Sequence, residues 1–177
     1  MRTVIVPGLG GSDEHHWQSV WERESPDMLR IAPASWDEPT LIDWWDALDR
    51  VAGDERVVLV AHSLGCLLAV RWTGQNPGRV AGLFLVAAPD PTAPAFPSHL
   101  ASFDGDLSSP PGAPALLIAS EDDPFCTPQQ SAAFAHAWNA TLILVGPRGH
   151  LNSSSGLGSW NEGRNLLTTF TNETSME

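Results

Sequence analysis

The chain is 177 residues long, which is enough for one domain to bury a substantial core. It has 9 basic and 21 acidic side chains, and the formal net charge of −12 argues against nucleic acid as a partner. All nine basic residues are arginine, so mechanisms that need a lysine amine, such as a Schiff base, are excluded. We expect one domain over residues 1–177.

The sequence has no feature typical of a membrane or secreted protein. Its first residues enter an apolar run at Thr3 and lack the longer apolar stretch of a secretory signal. No run approaches the length of a membrane span. Cys66 and Cys126 do not form a C-x-x-C pattern and give no disulfide framework. We therefore expect a cytoplasmic protein with no membrane partner.

Short apolar runs alternate with segments of helical periodicity along the chain. The predicted strands are 3–6, 29–32, 57–60, 83–87, 115–119 and 142–145, and the predicted helices are 17–24, 41–51, 64–74, 128–138 and 160–170. Pro39 and Pro128 are placed to begin their helices. This alternation predicts the α/β class, with a mostly parallel sheet of about six strands and helices on both faces.

Segment 88–114 breaks the alternation. It holds seven of the fifteen prolines, and a stretch of this length without strands is usually functional. We expect it to contain one short helix and to form a wall of the substrate pocket. It is too short for a large cap domain.

The pentapeptide 61–65, Ala-His-Ser-Leu-Gly, lies between an apolar strand and a predicted helix. This is the arrangement of a nucleophile elbow, in which a sharp turn exposes the hydroxyl of Ser63 at the carboxyl end of the sheet. Ala61 replaces the first glycine of the usual pattern, and alanine is the next smallest residue. The other interpretation is that Ser63 only caps the helix.

A serine nucleophile needs a base, and imidazole is suited to that task. His150 is the favoured candidate because it follows the last predicted strand, at the sheet edge where α/β proteins place their sites. His15 and His16 follow the first strand and are the main rivals, whereas His62 is adjacent to Ser63 and should point away from it. His136 lies on the surface of a predicted helix and His99 lies in the proline-rich segment, so both are weaker candidates for the base.

A carboxylate must orient that base and stabilise it when it becomes protonated. Three acids follow the fifth predicted strand, and Asp123 is favoured over Asp122 because the residue before Pro124 has a restricted backbone. Glu121 and Asp122 fit a solvated loop. Nucleophile, acid and base then occur in the order typical of α/β-hydrolases.

The glycine-rich segment 7–12 follows the first strand and is placed to complete an oxyanion hole. We expect the backbone N–H groups of Leu64 and Leu9 to be the donors. The glycines do not fit the G-x-G-x-x-G dinucleotide pattern, and the adjacent His15 and His16 lack further ligand spacing. We expect no cofactor and no metal.

Aromatic residues are the main candidates for the substrate pocket. Trp17 and Trp36 fit either a pocket or the core, whereas the pair Trp44 and Trp45 fits the core of a helix-packed layer. The pocket candidates are Gly10, His16, Trp17, Trp36, Phe96 and Phe125.

Five stretches together resemble a known group: 7–12 (PGLGGS), 16–18 (HWQ), 61–65, 123–126 (DPFC) and 149–152 (GHLN). The chain is similar to the small serine hydrolases typified by retinoblastoma-binding protein nine and the bacterial YdeN-like proteins, and segment 155–160 is similar to the bacterial members. The resemblance implies a compact α/β-hydrolase fold without a large cap domain, esterase or aminoacyl-ester hydrolase activity, and Ser63, Asp123 and His150 as nucleophile, acid and base. No L-x-C-x-E element is present, so a retinoblastoma-type partner is not expected.

The sequence thus predicts a cofactor-free serine hydrolase that cleaves small carboxylic esters, thioesters or activated amides through an acyl-enzyme. Two alternatives remain open. One is an acyltransferase with the same three residues, and the other is a noncatalytic binding protein that keeps the fold.

Overall fold

A computed structural model describes residues 2–94 and 96–174 of the chain. Its six strands form one sheet, in which all neighbouring strands are parallel and the order is β2-β1-β3-β4-β5-β6. The strands are β1 (Arg2–Val6), β2 (Met28–Arg30), β3 (Val57–His62), β4 (Val80–Val86), β5 (Ala115–Ala119) and β6 (Ala140–Leu144). Every residue of β3 and of β4 is buried, as expected for central strands covered on both faces.

Helices cover both faces of this sheet. They are α1 (Trp17–Glu24), α2 (Leu41–Ala52), α3 (Leu64–Gln75), α4 (Pro128–Trp138) and α5 (Asn161–Thr174). One core layer contains Trp44, Leu67 and Phe134 from α2, α3 and α4, and the other contains Trp21 and Phe170 from α1 and α5. The predicted class and the absence of a large cap domain are confirmed for the part of the chain that the structure describes.

Some predicted boundaries were wrong by a few residues, and strand pairing explains two of the differences. β4 begins at Val80 rather than residue 83 because Val80 pairs with Val57, and β6 begins at Ala140 because Ala140 pairs with Ala115. β2 is only Met28–Arg30. Pro39 does not begin α2, whose N-cap is the following residue, Thr40.

In the described part of segment 88–114 there is one short helix, the predicted one, at Ser98–Phe103. Phe103 anchors it, because its buried ring packs edge-on against Trp44 at a centroid distance of 5.3 Å. None of the described helices is long and apolar enough to cross a bilayer.

Candidate active site

The turn between β3 and α3 holds Ser63 in a backbone conformation that side chains rarely adopt. Its φ and ψ are 52° and −125°, which is a strained conformation for a residue other than glycine. The turn is tight because Gly65 lies against the end of β1. A Cβ atom on Gly65 would be 2.5 Å from the carbonyl oxygen of Pro7, the residue that follows β1. A Cβ atom at Gly8 would be 2.8 Å from the Cβ atom of Ser63. The sequence therefore places its glycines where the backbone of two loops must approach the serine.

Ser63 occupies the N-cap position of α3, yet its hydroxyl makes no capping hydrogen bond in the described structure. The Oγ atom lies 2.7 Å from Nε2 of His150 instead. This contact argues against the interpretation of Ser63 as a simple helix cap.

The other ring nitrogen of His150 contacts Asp123. Nδ1 lies 3.0 and 2.9 Å from the two carboxylate oxygens, and the side chains of His150 and Asp123 are 10% and 2% exposed. Since a carboxylate accepts, Nδ1 carries the hydrogen, and Nε2 is left to accept a hydrogen bond from the Ser63 hydroxyl. The N–H group of Phe125 also donates to Asp123, at 2.9 Å, and fixes the carboxylate. The structure thus brings together all three residues predicted from the sequence.

Asp122 is exposed, as expected for a residue of a solvated loop, but its carboxylate is hydrogen-bonded. Its Oδ1 atom accepts hydrogen bonds from the N–H group of Gly149 at 2.7 Å and from the Ser120 hydroxyl at 2.8 Å. These two donors hold the pKa of the Asp122 carboxyl below its usual value, with the Gly149 N–H as the larger cause. Asp122 therefore ties the loop after β5 to the loop that carries His150.

His62 lies against the site, although no pattern in the sequence predicted a role for it there. Its Nε2 atom is 2.9 Å from the carbonyl oxygen of His150, so this nitrogen donates the hydrogen bond. Burial lowers the pKa of His62 well below its usual value. Its side chain supports the backbone of His150 and does not contact the Ser63 hydroxyl through any described hydrogen bond.

The remaining histidines do not compete for the role of base. His15 is exposed and pairs with Glu14, and His99 and His136 are exposed as well. His16 is buried, accepts a hydrogen bond from Gln18 N–H through Nδ1, and has its pKa lowered by burial to about 4.

Two backbone N–H groups near Ser63 have no place in the regular hydrogen bonding of the fold. Leu64 is the first residue of α3 and Leu9 is the first residue of a short helix, Leu9–Gly11, and the first N–H groups of a helix have no partner within it. The next two N–H groups of the glycine loop are used, since Gly10 donates to Trp36 and Gly11 donates to Gly8. The predicted oxyanion donors are therefore the groups that the local structure leaves available.

A cavity of about 360 Å³ opens in front of Ser63 and His150. Its apolar wall includes residues of segment 88–114, as expected, and the loop after β5 adds Phe125. Among the described residues that line the cavity, Asp13 is the only Asp, Glu, Lys or Arg. Of the predicted pocket residues, Gly10, His16, Phe96 and Phe125 line the cavity.

Comparison with known proteins identifies the family. A sequence profile described as serine hydrolase matches residues 3–169. The chain belongs to that family. A YdeN-like hydrolase from Pectobacterium atrosepticum is 34% identical, with a TM-score of 0.86 over 98% of this chain and 91% of the other. The resemblance to YdeN-like proteins is thereby confirmed, and the chain is an enzyme of the hydrolase class.

Other solved structures agree with this serine hydrolase. The ydeN gene product of B. subtilis is 26% identical, with a TM-score of 0.80 over 96% of this chain and 98% of the other. The esterase domain of a Rhodothermus marinus protein, at 15% identity, shares the fold with a TM-score of 0.70 over 97% and 86% of the two chains. No curated protein matches the sequence.

Trp17 and Trp36, which the sequence left open between pocket and core, are not among the described residues that line the cavity of this serine hydrolase. Trp17 is 1% exposed, and its indole N–H donates to the Leu151 carbonyl oxygen at 2.9 Å within the core. Trp36 packs beneath Gly11 and edge-on against Trp44, with ring centroids 5.3 Å apart. Both indoles support the loops around the cavity from behind, so their contribution is structural.

The two cysteines of the enzyme are free and buried. Burial raises the pKa of the Cys66 thiol far above its usual value and that of Cys126 to about 11. Both thiols therefore stay protonated near neutral pH and are poor nucleophiles. Within residues 2–94 and 96–174, no three His, Cys, Asp or Glu side chains are grouped to hold a metal ion.

Proposed function

We propose that this serine hydrolase cleaves small carboxylic esters with Ser63 as the nucleophile, His150 as the general base and Asp123 as the residue that orients His150. The observation that carries the proposal is the chain of contacts from Ser63 Oγ to His150 Nε2, at 2.7 Å, and from His150 Nδ1 to Asp123, at 2.9 Å. These are the distances and roles that a serine nucleophile needs.

The proposed reaction proceeds through an acyl-enzyme. Ser63 Oγ attacks the ester carbonyl carbon while its proton moves to His150 Nε2, and the N–H groups of Leu64 and Leu9 stabilise the oxyanion. The carbon–oxygen bond to the alcohol then breaks, and the alcohol leaves with the proton from His150. His150 then takes a proton from water as the water oxygen attacks the acyl carbon. The bond from that carbon to Ser63 Oγ breaks, His150 returns the proton to Oγ, and the carboxylic acid leaves.

The cavity supports a substrate of limited size and apolar character. A volume of about 360 Å³ is at the lower end of typical ligand sites, and Phe96, Leu100 and Phe125 provide apolar contact surface. Thioesters and activated amides present the same electrophilic carbonyl and belong to the proposed range. The single domain and the cytoplasmic location expected from the sequence stay predictions.

Replacement of Ser63 tests the proposal. Ser63→Ala should lower kcat for a p-nitrophenyl ester by roughly 10⁴- to 10⁶-fold, the range seen when a serine nucleophile is removed. A fluorophosphonate should label the native enzyme at Ser63, as peptide mapping would show. Ser108→Ala is the matched control, because Ser108 lies on an exposed loop and bonds only Asp106 among the described contacts. Near-normal turnover by Ser63→Ala, or labelling at another serine, would contradict the proposal.

A further inference from the structure

His16 has a buried hydrogen-bond donor without an acceptor. His16 is 3% exposed. Its Nε2 atom is the one buried side-chain nitrogen or oxygen without a hydrogen-bond partner in the described part of the chain. The other nitrogen, Nδ1, accepts from the N–H group of Gln18 at 3.2 Å. An Nδ1 that accepts has no hydrogen, so the neutral ring carries its hydrogen on Nε2.

The assignment applies to the neutral ring, and burial of His16 favours that form. Burial is the main cause that lowers the pKa of His16 to about 4, and it outweighs the opposing effect of the Asp13 carboxylate. Near neutral pH, His16 therefore offers a single N–H group at Nε2.

The fold does not need this second nitrogen. His16 is the N-cap of α1, and a serine, threonine or asparagine would supply the one acceptor that a cap requires. The ring also packs against His62 and Trp17, with centroids 4.6 and 5.3 Å away, but these ring contacts give Nε2–H no nitrogen or oxygen acceptor. A buried N–H group without an acceptor opposes folding. Capping and packing thus leave Nε2–H unexplained.

His16 lines the cavity in front of the proposed nucleophile, Ser63. The ring centroid of His62 lies 4.6 Å from that of His16 and 5.0 Å from that of His150, so the three rings form a row. We propose that His16 is a substrate-binding residue whose Nε2–H donates a hydrogen bond to a second oxygen of the substrate. That oxygen belongs to an ether, hydroxyl or carbonyl group and lies several bonds from the ester that is cleaved. This inference rests on the proposed function, because the ester bound at Ser63 brings the second oxygen to His16.

A panel of matched esters tests the role of His16. It consists of p-nitrophenyl hexanoate and the esters in which one acyl methylene, at position 3, 4 or 5, is replaced by an ether oxygen. For each oxygen-containing ester, kcat/KM is divided by the value for hexanoate, and this ratio is compared between wild type and variant, so that intrinsic reactivity cancels. His16→Asn places an amide oxygen near the position of Nδ1 and keeps a cap, but its side chain is too short to place a donor at the position of Nε2.

We expect the ratio for at least one oxygen-containing ester to fall about tenfold in His16→Asn, mainly through KM, because a donor to a substrate oxygen has been lost. His16→Gln should keep much of the ratio, because its amide nitrogen reaches the position of Nε2, while its melting temperature falls with the lost cap. His136→Asn is the control, since His136 is exposed on α4, and it should leave the ratio unchanged.

A ratio that is the same in wild type and His16→Asn for every ester would overturn the inference. A purely structural role of His16 would give this result, because it would lower kcat/KM equally for hexanoate and all its analogues. His16→Thr serves as a second donor-poor variant that keeps a cap if His16→Asn does not fold. Failure of the proposed function has a different signature, because Ser63→Ala would then still hydrolyse the whole panel.

Discussion

Gly65 is the position at which one methyl group should damage the proposed site most. A Cβ atom there would lie 2.5 Å from the carbonyl oxygen of Pro7 and closer still to that of Val6. Ordinary contacts of a Cβ atom begin at 3.4 Å, so the strand or the start of α3 must move by about 1 Å to accept it. Both obstacles are backbone atoms at the end of a buried strand and cannot rotate away.

The movement predicts two effects of Gly65→Ala. Overpacking of a well-packed region should lower the free energy of unfolding by about 1–3 kcal/mol. A displacement of about 1 Å at Ser63 and the Leu64 N–H group should lower kcat/KM about 100-fold. Gly74→Ala is a matched control in the same helix, because Gly74 is exposed and a Cβ atom there would meet nothing within 4 Å. Alanine should raise the free energy of unfolding at that position by about 0.5–1 kcal/mol.

Urea denaturation and p-nitrophenyl ester hydrolysis, measured on both purified variants, test these effects. We expect the free energy of unfolding to fall in Gly65→Ala and to rise in Gly74→Ala. Only Gly65→Ala should lose activity. Wild-type stability and activity in Gly65→Ala would show that the elbow does not depend on the close approach of α3 to β1.

Asp123→Asn should lower kcat by about 10⁴-fold because the amide favours the wrong tautomer of His150, whereas Asp122→Asn keeps an acceptor oxygen and should change kcat little; the reverse ranking would assign the acid to Asp122. The kcat/KM of the enzyme should fall at acid pH within the range of about 5 to 8 in which imidazoles titrate, and a flat profile with rate-limiting chemistry would exclude a histidine base. Burial lowers the pKa of His16 from 6.5 to about 4, so the stability it contributes is complete above pH 6.5 and is lost as the pH falls towards 4. This loss is about 3 kcal/mol, and urea denaturation at pH 7 and pH 4 should show that it is absent in His16→Asn. Esters with an anionic group should react more slowly than neutral ones because Asp13 lines the cavity, and added salt should narrow the difference.

Much of the fold and the three central site residues could be predicted from local patterns. Parallel strands end at one edge of the sheet, so a serine, a carboxylate and a histidine that each follow a different strand are brought to the same edge. The choice of Asp123 over Asp122 also had a local signal, the proline that follows it. These inferences succeed because they need only the order of the strands and not the packing of side chains.

Contacts between distant segments explain what could not be predicted. Trp17 is aligned by a carbonyl group 134 residues away, and Trp36 is aligned by its packing against Trp44 and Gly11. The sequence near each tryptophan therefore could not predict whether its indole faces the cavity or the core. His62 and Asp122 gain their positions from the loop that carries His150, 88 and 27 residues further along the chain. The sequence around His62 fits any buried strand end, and the sequence around Asp122 fits any solvated loop. Neither pattern therefore indicates a contact with the loop that carries His150.

The loop that carries His150 is held by side chains that come from three other strands. Asp122, which follows β5, accepts a hydrogen bond from the Gly149 N–H group. His62, at the end of β3, donates one to the His150 carbonyl oxygen. Asp13, in the loop after β1, accepts one from the Ser153 hydroxyl at 2.8 Å. None of these contacts uses an atom of the His150 ring, so they fix its backbone and leave Nδ1 for Asp123 and Nε2 for Ser63. A base that is positioned before substrate binds needs little reorganisation during the reaction. These three polar side chains thus serve the proposed chemistry through the loop, and His16 differs from them because its own buried donor is left without a partner in the described structure.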